Sequence, residues 1–225
     1  MNTTNVAEFI FIAFPALFVI LNPLISASSF ISMTIGVPVE TQHRIAKKAC
    51  WTALIAILVF TFAGHLIFRI FNITVEAFRI AGGIVLFTTG FQMLKLSPFL
   101  TRQVERAKEE AAKRPDHDIG IVPLGIPIMC GPGTITTVLV LTAEIEWKSK
   151  LMGMLQMSGL LISAVVSVIL IYFMLIHSNK LMEVLKKTGM EVLNRIMGLF
   201  LTVIATQFVI NGVKELLPKF APLLK

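Results

Sequence analysis

Residues 18–30 read FVILNPLISASSF, and residues 127–139 read PIMCGPGTITTVL. In each stretch a proline and its neighbours interrupt an apolar run. Proline removes a backbone donor and clashes with the preceding helical turn, and glycine weakens a helix further. A bilayer offers no water to the freed backbone groups, so such breaks are tolerated only where they are buried in protein or line a cavity. The sequence therefore predicts two broken membrane helices, with breaks at Asn22-Pro23 and at Gly131-Pro132-Gly133.

Composition places the whole chain, residues 1–225, in a membrane. Of these residues 56% are hydrophobic and 15% are charged, and the mean hydropathy is +0.83. A typical soluble domain carries about 25% charged residues. Apolar spans of about 20 residues, long enough to cross a bilayer, recur along the chain. The net charge of +7 reflects Lys and Arg in the loops between spans, as membrane topology requires, and gives no reason to expect nucleic acid as a partner.

The apolar pattern predicts six membrane-spanning segments, the first and fourth of them broken. They cover residues 7–36, 49–71, 74–96, 119–143, 151–177 and 189–213. The basic residues of 43–48 are expected in a short polar loop between the first two spans. Residues 97–118 form a charged cytoplasmic connector, whose last residue, Asp118, is expected to cap the next helix. The predicted fold is an all-α polytopic membrane protein with a single integral membrane domain.

The two broken spans open two similar halves, residues 7–96 and 119–213. The segment FRIAG at 78–82 matches NRIMG at 194–198, in the third span of each half. Each half thus has a broken span, a plain span and a span that begins with an Arg-Ile motif. Because each half holds an odd number of spans, the halves must insert in opposite orientations. The sequence predicts an inverted repeat, an arrangement found in many transporters.

Charge between the spans predicts the orientation. With six spans, 13 Lys and Arg residues lie on the side of the first, third and fifth loops, and 7 lie on the other side. The positive-inside rule assigns the first side to the cytoplasm. Both termini are then periplasmic, in the inner membrane of a bacterium. A re-entrant hairpin at either break, in place of a crossing helix, would change this topology.

The breaks are the predicted substrate site. A helix N-terminus carries about half a positive charge and several free N–H groups, which suit a carboxylate or another anionic group. The carbonyl groups that end the preceding half-helices suit Na⁺ or a proton carrier. Two glutamines, one in each half, are expected to project inward. The predicted substrate-binding residues are Asn22, Pro23, Ser26, Gln92, Gly131, Pro132, Gly133, Thr134, Thr137 and Gln207.

Two arginines lie near the starts of the third and sixth spans. Arg79 follows Glu76 by three residues, and Arg195 follows Glu191 by four. Residues at these spacings share a helix face and can form an ion pair. The sequence favours interfacial anchors with local ion pairs, and a gating or substrate-contacting role is the alternative.

No catalytic or metal-binding set is apparent in the predicted membrane core, which lacks carboxylate pairs, a Ser/His/Asp set and a His/Cys cluster. An intramembrane enzyme would need at least one of these, so the sequence favours transport over catalysis and predicts no bound cofactor. The chain also lacks a nucleotide-binding P-loop, so transport is expected to be coupled to H⁺ or Na⁺. The expected partners are the lipid bilayer and a small-molecule substrate, and the sequence leaves homo-oligomerisation open.

Three blocks of sequence, in order, resemble the MarC family of bacterial inner-membrane proteins, also called UPF0056. They are NPL at 22–24 with the serine-rich run to Phe30, AFRIAGGI at 77–84, and IVPLGIP at 121–127 followed by GPGTIT at 131–136. The resemblance covers residues 8–212. The family is named for an association with multiple antibiotic resistance. It is similar to a family that includes a six-span neutral amino acid transporter, which implies glycine or alanine as a substrate.

Three functions are left open by the sequence. The leading hypothesis is a secondary transporter of a small polar solute, with a neutral amino acid as the candidate, working by alternating access around the paired breaks. The second is a non-transporting membrane component that acts in assembly or in a stress response. The third is a passive channel.

A reporter fused after Lys225 tests the predicted orientation. We expect it to be periplasmic, so an alkaline phosphatase fusion should be active there. A fusion within the connector, after Ala112, is the matched control and should be inactive. A cytoplasmic reading after Lys225 would contradict the six-span topology.

Overall fold

The computed structural model describes residues 6–95, 118–145, 147 and 149–220. Every regular element in these ranges is a helix. The helices are α1 (Val6–Ile20), α2 (Pro23–Met33), α3 (Val39–Ile70), α4 (Val75–Leu94), α5 (Gly120–Met129), α6 (Pro132–Ala143), α7 (Lys150–Ile176) and α8 (Ser178–Phe220). Within the described ranges, five helical stretches are long and apolar enough to cross a membrane, and the bent pair α5–α6 makes a sixth if it crosses as one span. The predicted all-α polytopic architecture is confirmed.

The first broken span consists of α1 and α2, which together cover 28 residues. A straight helix of that length would measure about 42 Å, well beyond the roughly 30 Å of hydrocarbon in a bilayer. Asn22 separates the two helices by adopting a left-handed backbone conformation, with φ 56°. Asparagine is one of the few residues that tolerates this conformation. Pro23 then starts α2, where its missing N–H leaves no hydrogen bond unmade.

The second broken span is less regular. Val122 and Ile126 in α5 have extended backbone angles, and each precedes a proline. The ring of a proline disfavours the helical conformation of the residue before it, so α5 is wound irregularly. Helix α6 starts afresh at Pro132, and its axis is bent by 59° from that of α5. Such a bent pair is either one broken span or a re-entrant loop.

Helix α3 begins earlier than the sequence predicts. The basic residues of 43–48, expected in a loop, lie within its first three turns, and the connection from α2 shrinks to residues 34–38. Lys, Arg and Gln are good helix formers, so the helix continues beyond the apolar run that crosses the membrane. The side chain of Gln42 stabilises the start of α3 by donating a 2.9 Å hydrogen bond to the carbonyl oxygen of Val37.

Helix α8 is also longer than the predicted sixth span. It begins at Ser178 and continues beyond Pro218 to Phe220, past the predicted end of the span at residue 213. A positive φ of 51° at Lys186 bends it just before the predicted span begins. Of the predicted connector, residues 97–117 lie outside the described residues. The predicted cap is confirmed, because the carboxylate of Asp118 accepts a 3.1 Å hydrogen bond from the N–H of Gly120.

The broken helix of each half packs on a helix of the other half. Helix α1, which opens the first half, packs on α7 of the second half, and α5, which opens the second half, packs on α3 of the first. The last helices of the two halves, α4 and α8, pack along each other. Each half therefore supplies the surface that encloses the broken helix of the other.

Glycines allow the close approach of α4 and α8. A Cβ atom at Gly90 would lie 2.8 Å from the backbone nitrogen of Thr202 and 2.9 Å from the carbonyl oxygen of Gly198. A Cβ atom at Gly83 would lie 2.8 Å from the carbonyl oxygen of Ala205. Small residues give membrane helices their van der Waals contact, because lipid provides no hydrophobic drive between helices. We call this close α4–α8 contact the seam between the halves.

Substituting Gly90 with Ala should destabilise the protein, because the backbone of α8 cannot move aside for the new methyl group. Overpacking of this kind costs about 1–3 kcal/mol, and each kcal/mol lowers Tm by roughly 2–4 °C in a chain of this size. Thermal unfolding of the purified protein in detergent measures this. Gly189→Ala is the matched control on α8, since the atoms near its Cβ belong to the flexible side chain of Leu185. Equal Tm values for the two variants would contradict the close α4–α8 contact.

Candidate functional site

The first break lies in the interior of the molecule. All nine residues of 19–27 are buried. A surface helix would expose one face, so continuous burial across the break means that protein surrounds it on every side. This is the environment in which an interrupted backbone is tolerated at membrane depth.

The second break contacts the first. Gly133, the second residue of α6, faces Ile20, the last residue of α1. A Cβ atom at Gly133 would lie 3.0 Å from Cδ1 of Ile20 and 3.6 Å from Cδ2 of Leu86. Glycine at this position lets the start of α6 approach the end of α1 closely. The start of α6 therefore lies beside the end of α1 at the first break, while Pro132 itself is exposed and Gly131 is half-buried.

A hydroxyl group spans each break in the same way. Ser26 Oγ donates a 3.2 Å hydrogen bond to the carbonyl oxygen of Leu21, and Thr134 Oγ1 donates a 3.0 Å hydrogen bond to that of Met129. In both cases the bond joins the second half-helix to a carbonyl at or just after the end of the first half-helix, five residues earlier. These bonds satisfy carbonyl oxygens that the interrupted helix leaves free. Thr137 is different, because it donates to Gly133 within α6.

The breaks still hold polar groups with unused bonding capacity. The side-chain oxygen of Asn22 is buried and has no hydrogen-bond partner. Neither α2 nor α6 receives a side-chain cap at its first turn, where Asn22 and Gly131 are the N-cap residues. The first N–H groups of a helix have no partner within it. The site thus offers a buried acceptor next to two sets of helix N-terminal donors.

Gln92 and Gln207 do not lie at the breaks, so the prediction that they project inward is wrong. Both side chains are exposed, and Gln207 donates a 2.8 Å hydrogen bond to Asn211 on the outer surface of α8. Helix α4 turns a stripe of residues inward: Gly83, Leu86, Gly90 and Met93. Gln92 falls outside this stripe.

The two arginines of the repeat motif have different surroundings. Arg195 is exposed, whereas Arg79 is only 7% exposed. Nη1 of Arg79 lies 2.5 Å from Oε2 of Glu215, and Nε lies 3.4 Å from Oε1 of Glu144. We call these three residues the arginine triad. Both carboxylates lie far along the chain, so the ion pairs shown for Arg79 are not the local pair with Glu76 that the spacing predicts.

Glu144 ends α6 and has a perturbed carboxyl group. Burial raises the pKa of Glu144, and the nearby Glu215 carboxylate raises it too, while the Arg79 guanidinium lowers it. The net direction is upward, so this carboxyl group holds a proton more readily than an exposed one. Glu144 is not among the site residues predicted from the sequence, because it immediately follows an apolar span. A usable signal was that Arg79, Glu144 and Glu215 all lie at span ends on the side predicted to be periplasmic.

A family model described as "MarC family integral membrane protein" matches residues 7–217. The chain belongs to the MarC family of integral membrane proteins. The resemblance of the three sequence blocks is thereby confirmed.

Relatives of this MarC-family chain occur in archaea and bacteria. It is 35% identical to a UPF0056 membrane protein of Pyrococcus horikoshii, over 90% of this chain and 93% of that protein. It is 31% identical to UPF0056 membrane protein YvbG of Bacillus subtilis, over 94% and 97%. It is 27% identical to UPF0056 inner membrane protein MarC of Salmonella paratyphi A, over 88% and 91%. No solved structure matches the chain. The names of these relatives state a membrane location and no activity.

A groove on this MarC-family protein lies apart from the breaks. It has a volume of about 390 Å³ and opens between α3 and α7, where Lys47 and Tyr172 give it a polar end. Its other lining is apolar and includes Trp51 and Val165. The predicted site residues do not line it, so the candidate site rests on the breaks and not on this groove.

The contact between the breaks can be tested by a double-mutant cycle. Gly133→Ala adds a methyl group against Ile20, and Ile20→Val removes the Cδ1 atom that it would meet. Each single change should reduce the free energy of unfolding by about 1 kcal/mol and therefore lower Tm. The double variant should lose less than the sum, because neighbouring residues couple. Gly133→Ala combined with Ile12→Val, an exposed position on α1, is the control and should be additive. Additivity in both pairs would contradict the contact.

Proposed function

We propose that this MarC-family protein is a secondary transporter of a small polar solute, and that its substrate class is the neutral amino acids. The solute binds where the two helix breaks meet and crosses the membrane by alternating access. The single observation that carries this proposal is the contact between the second break and the buried first break, next to a buried amide oxygen without a hydrogen-bond partner.

The polar groups at the breaks complement a zwitterion. The N-termini of α2 and α6 supply N–H donors and partial positive charge, which favour a carboxylate. The side-chain oxygen of Asn22 accepts hydrogen bonds only, which suits an ammonium group. A neutral amino acid carries both groups a few ångströms apart and brings no net charge into the membrane core.

Close packing at the breaks favours a small solute. The side chain of Ile20 already lies against Gly133, and Leu24 and Ile25 beside the first break are fully buried. Glycine or alanine would add little volume to such a site. A larger side chain would have to displace several buried residues.

Burial of the first break favours alternating access over a passive channel. Residues 19–27 are closed off from both sides of the molecule, so a solute reaches the site only when helices move. A movement of the two halves that opens one side at a time would provide that access.

Energy for transport would come from an ion gradient, H⁺ or Na⁺. We place the protein in the bacterial inner membrane with both termini periplasmic, as loop charge predicts. All residues of the proposed site come from one chain.

Ligand-induced stabilisation tests binding directly. A ligand that binds only the folded state raises stability by RT ln(1 + [L]/Kd), or about 2.7 kcal/mol at 100 times Kd. Purified protein should gain Tm in millimolar glycine or alanine, and more so if the driving ion is present. Uptake of labelled alanine into proteoliposomes should parallel the Tm gain. Absence of both, across all neutral amino acids, would favour a non-transporting membrane component.

Variants of Asn22 locate the site. Asn22→Gly keeps the left-handed backbone, which glycine adopts freely, and removes the amide oxygen. We expect folded protein with at least tenfold weaker alanine binding, since loss of one hydrogen bond to a charged group costs about 1.5–3 kcal/mol.

Asn72→Gly is the matched control for Asn22→Gly. Asn72 also has a positive φ, 51°, but lies exposed in the turn between α3 and α4. Alanine binding should be unchanged in this variant. Equal weakening in the two glycine variants, or none in either, would remove the breaks from the binding site.

A further inference from the structure

The arginine triad joins three helices at one end of the molecule. Arg79 belongs to α4, Glu144 directly follows α6, and Glu215 belongs to α8. The guanidinium lies between the two carboxylates, and its side chain is 8% exposed. None of these interactions involves the breaks, and the substrate site proposed above does not use them.

Charge in the triad does not balance when both glutamates are ionised. One guanidinium and two carboxylates leave a net charge of −1 in a largely buried position. An uncompensated buried charge is costly, and a carboxyl group in such a position takes up a proton instead. One proton makes the triad neutral.

The geometry indicates which carboxylate accepts the proton. Glu215 makes a 2.5 Å hydrogen bond with Arg79, whereas Glu144 is 3.4 Å away and makes no hydrogen bond to it. Nε of Arg79, which faces Glu144, is buried and has no hydrogen-bond partner. The side chain of Glu144 is also less exposed, 20% against 28% for Glu215. The ionised form of Glu144 is therefore stabilised less than the ionised form of Glu215.

Other charged groups leave this assignment intact. Electrostatic effects on Glu144 come from Arg79 and Glu215, and burial is the largest influence. Glu76 lies one turn before Arg79 on α4 and makes an interaction of its own. On α3, the side chain of His65 lies outside the described part of the chain. The charged residues at the near ends of the other helices are exposed, namely Glu8 on α1, Arg69 on α3, Lys150 on α7 and Lys214 on α8.

Helix α6 connects the triad to the breaks. It has 12 residues, so its ends are about 18 Å apart, with Gly133 at one end and Glu144 just beyond the other. Helix α4 runs alongside, with Leu86 near Gly133 and Gly82 near Thr136. When Glu144 is ionised, Arg79 attracts the end of α6 to the α4–α8 seam. Once Glu144 is protonated, Arg79 remains paired with Glu215, and that attraction is lost.

We propose that Glu144 is a proton-binding site that couples H⁺ to movement of α6, which makes H⁺ the coupling ion of the transporter proposed above. The coupling rests on that proposed function, whereas proton binding at Glu144 does not. The carboxylate takes one proton from solution, and no other bond changes. Arg195, the repeat counterpart of Arg79, is exposed, so the described residues do not repeat the buried arginine in the second half.

Infrared titration of the purified full-length protein tests proton binding without any substrate. The C=O stretch of a protonated carboxyl should persist to pH values above the ordinary glutamate pKa of about 4.3. This band should be lost in Glu144→Gln and retained in Glu183→Gln, an exposed glutamate on α8. In Glu215→Gln it should shift to lower pH, because Arg79 and an ionised Glu144 are then neutral together. Glu144→Asp, which keeps a titrating carboxyl, should retain it. A band that survives in Glu144→Gln, or its absence in the wild type, would overturn the assignment.

Proteoliposomes loaded with alanine test the coupling. An imposed pH gradient should drive alanine uptake by the wild type, and Glu144→Gln should lose this response while still exchanging alanine across the membrane. Uptake by Glu144→Gln that still follows the pH gradient would overturn the coupling. If the wild type shows the infrared band but moves no alanine, the transport proposal fails and the coupling fails with it, while the proton site stands.

Discussion

An interrupted backbone inside a membrane has to find its hydrogen bonds within the protein, and this constraint organises the structure. At each break a hydroxyl of the second half-helix, Ser26 or Thr134, bonds a carbonyl of the first. The oxygen of Asn22 has no hydrogen-bond partner, the first N–H groups of α2 and α6 have no side-chain cap, and protein encloses the first break on all sides. Unsatisfied buried groups cost free energy, so their presence next to one another is best understood as capacity for a ligand that supplies the missing bonds.

The enclosure comes from the exchange of partners between the halves. Because α1 packs on α7 and α5 packs on α3, neither broken helix is covered by its own half alone. The breaks themselves follow the repeat, but the arginine triad does not, since Arg79 is buried between two glutamates and Arg195 is exposed. In the proposed mechanism, the breaks, which occur in both halves, bind the solute. The arginine triad, which the repeat does not reproduce, binds the proton. The two sites lie at opposite ends of α6, which makes that helix the element on which both ligands act.

Much of the fold and the position of the site could be predicted from the sequence, since their signals are local. Apolar length marks a membrane crossing, and Asn22-Pro23 and Gly131-Pro132-Gly133 cannot continue a helix. The direction in which a side chain points was harder to predict. Gln92 sits beside the buried stripe of α4 and not in it, which a spacing counted from Arg79 does not reveal. The partners of Arg79 lie 65 and 136 residues away along the chain, and only the packing of α4, α6 and α8 brings them together.

The central claim is that a solute binds with its carboxylate at the N-termini of α2 and α6. Solid-state NMR of the protein in lipid, with bound alanine labelled with ¹³C at its carboxylate and ¹⁵N in the protein backbone, measures this directly. A hydrogen-bonded N···O distance is about 2.9 Å. We therefore expect a measurable dipolar coupling between the alanine carboxylate carbon and the backbone nitrogen of Leu24, Ile25, Gly133 or Thr134. Bound alanine that couples to none of these four nitrogens would contradict it.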